Sequence, residues 1–526
     1  MESTKKMQKK KKSPFRAFLK GVGLFVLTVI LLGAVFTTAV TLVQNEAAYR
    51  QNEKTVEPFK PSLLTTNGKV GSPGDAPLEI YVMNDIHILA TDEHTEGPMD
   101  RAESEAIMTA SFKRAAEDET ARAVILPGDL THAGDRDSYA ILERGLQTLK
   151  DAGKDVYALP AGHDFKDNGN PNVLSRDEAS EKYMSFLTDG VVLEYSPFDG
   201  GKSYVAQISE NYRLLVINAD HIFGRGYEEE ELAWVLKVIS DSRLAGDYIF
   251  AMQHYPVLNP SPLYSYTGSK DWHEWHLNAA GKMADAGLEF IFTGHSHVHS
   301  VVNYKTALGN TLYNVGTGTL TGSPGFFRKV RFSYDEVKIE SLALTAEELA
   351  EVGIDTAGRN GSEYMRAEFA KMVTDMVYCA AADDMETFAA HCHEFGIGLS
   401  REKLEKDDKK LWKIISAAGK AVDKIKIKDV KALILYAGKL DKDFEERYLK
   451  DFAAELITGI SYGNMSYKPG TSEYLFAALL VERARPIVNM IDKSGKTMRT
   501  VETLRDALLY KDGGPDDLNP ILPRLN

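Results

Sequence analysis

Residues 78–87 read Leu-Glu-Ile-Tyr-Val-Met-Asn-Asp-Ile-His, a short apolar, β-favouring run that ends on two ionisable side chains, Asp85 and His87. A strand that finishes this way puts them at its carboxyl end, where ligand sites gather in open α/β sheets. The same pattern recurs downstream. Short β-rich runs lead into Gly128-Asp129, Gly162-His163-Asp164, Gln253-His254-Tyr255-Pro256 and Gly294-His295-Ser296-His297. Taken singly, an Asp after a strand is usually a turn residue and a His a satisfied core residue. Repeated at successive strand ends, these imidazoles and carboxylates serve no common structural need and predict one site at one sheet edge. Mixed oxygen and nitrogen donors suit Mn, Fe, Zn or Co better than Ca, and the absence of Cys donors favours a catalytic over a structural centre.

Outward from these motifs, strands are predicted at 78–83, 123–126, 156–159, 204–208, 214–217, 248–252, 290–292, 311–314 and 329–332, with helices at 102–117, 138–150, 229–240 and 273–286. This alternation predicts an α/β domain with its strands enclosed between helices, over residues 78–344. Beyond it the strand signals stop, and residues 345–526, rich in Ala, Leu, Lys and Glu, predict an all-helical domain of unassigned role. Within it, residues 409–428 are basic and amphipathic, the pattern of a solvated helix face more often than of a membrane-surface helix.

The N-terminus is of another kind. Residues 1–20 hold eight Lys or Arg against one Glu, and residues 21–43 contain no charge at all. Twenty-three uncharged residues are enough to cross a hydrocarbon core of about 30 Å, and exceed the apolar region of a cleaved signal peptide. A single transmembrane anchor is predicted, with the basic segment cytoplasmic and everything after Gln44 outside. Residues 44–77 read as a polar linker. Of the net charge of −14, the first twenty residues contribute +7, so the remainder carries −21. An exterior this acidic repels a phosphate backbone, and no nucleic-acid partner is expected. The two cysteines, Cys379 and Cys392, are too few for a disulfide framework. Pairing them would require a turn near Asp383 and Asp384, because 13 residues of continuous helix span about 20 Å.

The five motifs resemble, in order and spacing, those of the calcineurin-like metallophosphoesterase superfamily over residues 78–342. Gly128-Asp129-Leu130-Thr131 with Gly134 and Tyr139, and Glu230-Glu231-Leu232-Ala233-Trp234, are similar to its cyclic-nucleotide phosphodiesterase-like branch. The resemblance implies a four-layer αββα sandwich holding two divalent metal ions. It implies Asp85, His87 and His297 as ligands of the first ion, His254 and His295 as ligands of the second, and Asp129 as the bridge between them. A metal-activated hydroxide would attack the phosphorus of a phosphate mono- or diester. His163 would protonate the leaving oxygen, with Asp164 orienting its ring. The sequence departs from the family at Gly162, where members usually carry an Asn ligand of the second ion. Water or a neighbouring side chain must then fill that position.

Several other polar residues have plainer explanations. His299 and His132 read as surface loop histidines, Asp271 ahead of His273 and His276 as a helix cap, and Gly316-Thr317-Gly318 with Gly322 as a turn. The function expected is hydrolysis of a small, membrane- or envelope-associated phosphate ester at a site outside the cytoplasm. The competing reading is a degenerate phosphoesterase that binds metal or a phosphorylated ligand as a sensor or scaffold.

Overall fold

The computed structural model describes residues 76–90, 102–218, 227–261, 276–394, 400–406, 409–433, 440–459, 461–462, 467, 469–491, 502 and 521–523. The predicted anchor at residues 21–43 lies outside them, as do Asp271 and His273. Among the described residues no helix is long and apolar enough to cross a membrane.

Strand β1 (Leu78–Val82) alternates as its sequence requires, with Ile80 and Val82 in one apolar cluster and Tyr81 in another. It runs parallel to β2 (Ala123–Leu126), which runs parallel to β3 (Asp155–Ala158). On its other side β1 is antiparallel to β11 (Phe327–Phe332), followed by β12 (Glu336–Leu342) and β13 (Ile521–Pro523). This six-stranded sheet faces a second of seven strands, in the order β4 (Val192–Tyr195), β5 (Tyr204–Ser209), β6 (Tyr212–Val216), β7 (Tyr248–Met252), β8 (Phe290–Thr293), β10 (Thr311–Gly316) and β9 (Ser300–Lys305). Within it β6, β7, β8 and β10 are mutually parallel.

Three apolar clusters separate four layers. Ile80, Val82 and Ile125 of the first sheet meet Leu214, Phe250 and Phe292 of the second. The outer face of the first sheet is covered by α1 (Ser104–Glu117), α2 (Arg136–Asp151) and α3 (Arg176–Met184), through Phe112, Leu142 and Tyr183. That of the second is covered by α4 (Glu229–Leu244) and α5 (His276–Ala286), through Trp234, Val235 and Met283. Strands buried on both faces read as unbroken apolar runs, which is why β2, β7 and β8 stand out in the sequence, while β1 is broken only by the half-buried Glu79.

The predicted all-helical tail needs correction at one point. Residues 521–523 form a strand that pairs with β12, and Leu522 joins the core between the sheets. A three-residue edge strand has no periodicity to betray it. The compact units also divide elsewhere than at residue 344: the sheet unit runs on to Met372 and takes back Leu456–Lys468 and Asp506–Asn526.

The helical unit contains Val373–Glu455 and Pro469–Arg505. Its core joins Met376, Phe388, Cys392, Leu404, Trp412 and Ile415. The helix Lys409–Val422 turns Trp412 and Ile415 into this core, so its amphipathicity is accounted for by packing. The turn required between the cysteines exists, since helix Gly361–Ala382 stops before Asp383 and the next begins at Met385. No disulfide joins the two thiols, and burial pushes that of Cys392 up to about 12.

Candidate metal centre

The carboxyl ends of β1, β2, β3, β7 and β8 carry the five motifs, and the folded chain brings them together in two donor groups. Asp85, His87 and His297 form one, and Asp129, His254 and His295 the other, each offering ligand atoms within 4.8 Å of one another. In the first, His297 Nε2 is 3.2 Å from His87 Nε2 and 3.4 Å from Asp85 Oδ1. In the second, His254 Nε2 is 3.1 Å from Asp129 Oδ2. Two ligand atoms sharing one tetrahedral ion, with bonds of about 2.0–2.1 Å, stand about 3.3 Å apart. These separations therefore fit a divalent ion in each group.

Backbone geometry sharpens the case. Asp85, His87, Asp129, His295 and His297 all have positive φ, between 50° and 64°. A non-glycine residue held left-handed costs about 1–3 kcal/mol and persists where the surroundings enforce it, most often at functional sites. The bracing is visible around β1. The amides of Asp85 and His87 donate to the carbonyls of Gly128 and Asp129, and the hydroxyls of Thr319 and Thr321 donate to the carbonyls of Asp85 and Ile86 at 2.7 Å each. Asn84 donates through its amide to the Asp85 carboxylate and to the Thr317 carbonyl. The His295 amide adds a bond to Asp85 Oδ2 at 3.0 Å. Gly294 is required here, because a Cβ on it would lie 2.5 Å from Asp85 Oδ2.

His254 is aimed by its other nitrogen. Nδ1 donates to the Pro127 carbonyl at 2.8 Å, which leaves the Nε2 lone pair for a ligand. Asp129 senses both groups. Burial alone would raise its pKa, but His254, then His87 and His163, outweigh that and hold it well below the usual carboxylate range. Burial, opposed by Asp129, keeps His87 neutral, the form that ligates.

His163 is exposed at the rim, and its amide donates to Asp129 Oδ1 at 3.0 Å. Its ring is not oriented by Asp164, contrary to the sequence expectation. Nδ1 donates instead to the His132 carbonyl at 2.9 Å, and the His132 ring stacks on it at 5.1 Å. Asp164 is fully buried and turned the other way, accepting from the Thr131 amide, the Ala161 amide and the Tyr183 hydroxyl. It ties the loop after β2 to the loop after β3. Burial and the Asp129 charge raise its pKa to about 6 against those donors.

His132, read from sequence as a surface residue, is half-buried and groups with His87 and His163. His299 is not on the surface either. It is buried, with Nε2 2.7 Å from the Ser341 hydroxyl and Nδ1 accepting from the Gly318 amide, a packing role. The His276 side chain lies outside the described residues.

Residues 78–299 match the calcineurin-like phosphoesterase family. The chain carries a calcineurin-like phosphoesterase domain. No curated protein matches the chain in sequence. Among solved structures, a dimetal phosphatase from Danio rerio is 12% identical, with 50% of this chain and 95% of that one covered, at a TM-score of 0.38. Purple acid phosphatase PPD1 from yellow lupin (Lupinus luteus) seeds is 13% identical over 52% of each chain, at 0.37. The NAD nucleotidase of Haemophilus influenzae is 12% identical over 57% of this chain and 62% of that one, at 0.32. Gly162, which precedes His163, has a backbone that is not left-handed.

Proposed function

We propose that the chain hydrolyses a small phosphate ester with two divalent ions at the edge shared by the two sheets, outside the cytoplasm and anchored through residues 21–43. The observation that carries the reaction is the convergence of two donor groups, at ligand spacing, in a segment that matches the calcineurin-like phosphoesterase family. Asp85, His87 and His297 would hold one ion and His254 and His295 the other, with Asp129, grouped with the latter pair, available to serve both. Such a pair of ions makes water nucleophilic at neutral pH and offsets phosphate charge.

The remaining work falls to the protein. His163 stands at the open rim with Nδ1 committed to a carbonyl, so that Nε2 is the nitrogen free to deliver a proton to a leaving oxygen. Asp164 fixes the loop that carries it. The test is an assay of the full chain with aryl phosphodiester and monoester substrates, stripped by chelator and reloaded with Mn. Activity should vanish on stripping and return on reloading; a reloaded protein that cleaves neither ester would end the proposal.

The topology is supported by the N-terminal sequence alone, where a basic cluster followed by an uncharged run of 23 residues favours a phosphoesterase domain outside. Protease added to intact cells should digest everything after Gln44, and protection of that region would reverse the assignment.

A further inference from the structure

The two donor groups are unequal in a way that points to one more residue. If Asp129 serves both ions, the Asp85 group has four protein donors and the Asp129 group only three. The shortfall lies on the side of Gly162, because the next residue's amide, that of His163, donates to Asp129 Oδ1 at 3.0 Å. A Cβ built on Gly162 would have a single neighbour within 4 Å, the hydroxyl oxygen of Tyr255 at 3.4 Å. Tyr255 thus reaches into the space a longer residue at 162 would occupy.

Its position is tightly determined. The ring is 4% exposed and packs edge-on against both histidines of the weaker group, 5.0 Å from His254 and 4.5 Å from His295. Its carbonyl accepts from the Gln253 side chain, which in turn accepts from the buried Tyr227 hydroxyl. The amides of Val257 and Leu258 are held by Asn314 Oδ1, which fixes the turn that follows. A phenol oxygen is a hard donor suited to Mn, Fe or Zn, and on coordination its proton leaves to solvent.

We propose that the Tyr255 phenol oxygen is the additional protein ligand of the ion held by Asp129, His254 and His295. This rests on the two-ion reading above, but its test reads binding and not turnover. The full chain, stripped of metal, is titrated with Mn by calorimetry, as wild type, Tyr255→Phe, Gly162→Asn and the double variant. Tyr255→Phe should weaken one of two binding steps by more than the ~10- to 100-fold that loss of an outer-shell partner costs. That step should also release less proton. Gly162→Asn should restore affinity in the Tyr255→Phe background and add little when Tyr255 is present. Unchanged affinity at both steps in a folded Tyr255→Phe protein overturns the proposal. So does a loss that Gly162→Asn fails to repair, since it would then reflect packing. A protein that binds two ions through Tyr255 and hydrolyses no ester would defeat the phosphoesterase reading while leaving this one standing.

Discussion

The Asp85 group and the Asp129 group both draw on strand ends of the two sheets but are built by different means. Asp85 and His87 come from one tight turn after β1, both left-handed, and are joined by His297, also left-handed. The Asp129 group draws one residue from each of three strand ends, and His254 is positioned by a carbonyl rather than by an unusual backbone. One group is a strained turn held in place by Thr319, Thr321 and Asn84. The other is spread over strands that the cores already fix. Asp129 and His295 are left-handed too, but Asp85 and His87 share one turn, so that group is the more sensitive to its braces, whereas the distributed group depends on its individual ligands.

The comparison breaks down first at the shared residue. Asp129→Ala should abolish both metal-binding steps and cost more turnover than any other single change, measured by metal content beside rate. His163→Ala should keep both ions and lose about 10²–10⁴ in rate on an alkyl ester, and less on an aryl ester whose leaving group needs no proton. A His163→Ala enzyme that matches wild type on the alkyl ester removes the residue from the proton-transfer role.

Two glycines test the contrast in bracing. At Gly294 an added Cβ collides with Asp85 Oδ2 and Asn84 Nδ2, so Gly294→Ala should cost about 1–3 kcal/mol in denaturant melts and weaken the Asp85 group selectively. At Gly162 the nearest atom is 3.4 Å away, and Gly162→Ala should stay within about 0.5 kcal/mol of wild type. Equal costs at the two positions would mean that the strained turn is no more demanding than its neighbour.

A smaller effect separates His299 from the site histidines. Burial first, then the Arg328 charge, holds its pKa well below 6.5 in the folded protein. Below pH 6.5 the unfolded chain binds a proton at this position that the folded one does not. Stability is therefore lost as pH falls from about 6.5, by up to about 1.4 kcal/mol per pH unit from this one residue. His299→Gln should flatten the dependence of stability on pH between 6.5 and 5 by up to that amount, in melts of metal-free protein. An unchanged slope would show that His299 is not kept neutral by its burial.

The strand-end motifs were legible because a parallel strand buried on both faces is a continuous apolar run, and the residue that follows is conspicuous if it is charged. Edge strands are not. β4 leaves Leu193 and Tyr195 about half exposed, and β12, one strand in from its edge, alternates charges and carries no comparable apolar block. Residues that act across long separations were equally hidden: the hydroxyls of Thr319 and Thr321 brace a turn 234 and 235 positions away. Adjacency misled as well. Asp164 follows His163 directly, yet a fixed turn sends the two side chains in opposite directions, one to the rim and one into the core. For His299 the spacing from His297 suggested a loop surface, but β9 begins at the next residue and draws it inside.

The pairing of β13 with β12 has a consequence for synthesis. Val337 finds its partner Leu522 only after nearly the whole helical unit has been made. Until residues 521–523 emerge from the ribosome, β12 presents a row of unpaired amides and carbonyls to whatever is nearby, the arrangement from which strand-to-strand association starts. Such distant contacts form slowly because a long loop must close before they are rewarded. A recombinant fragment cut after residue 344 would retain every predicted ligand and leave that edge permanently open, so a version that keeps residues 521–523 is the better starting point for a soluble catalytic domain.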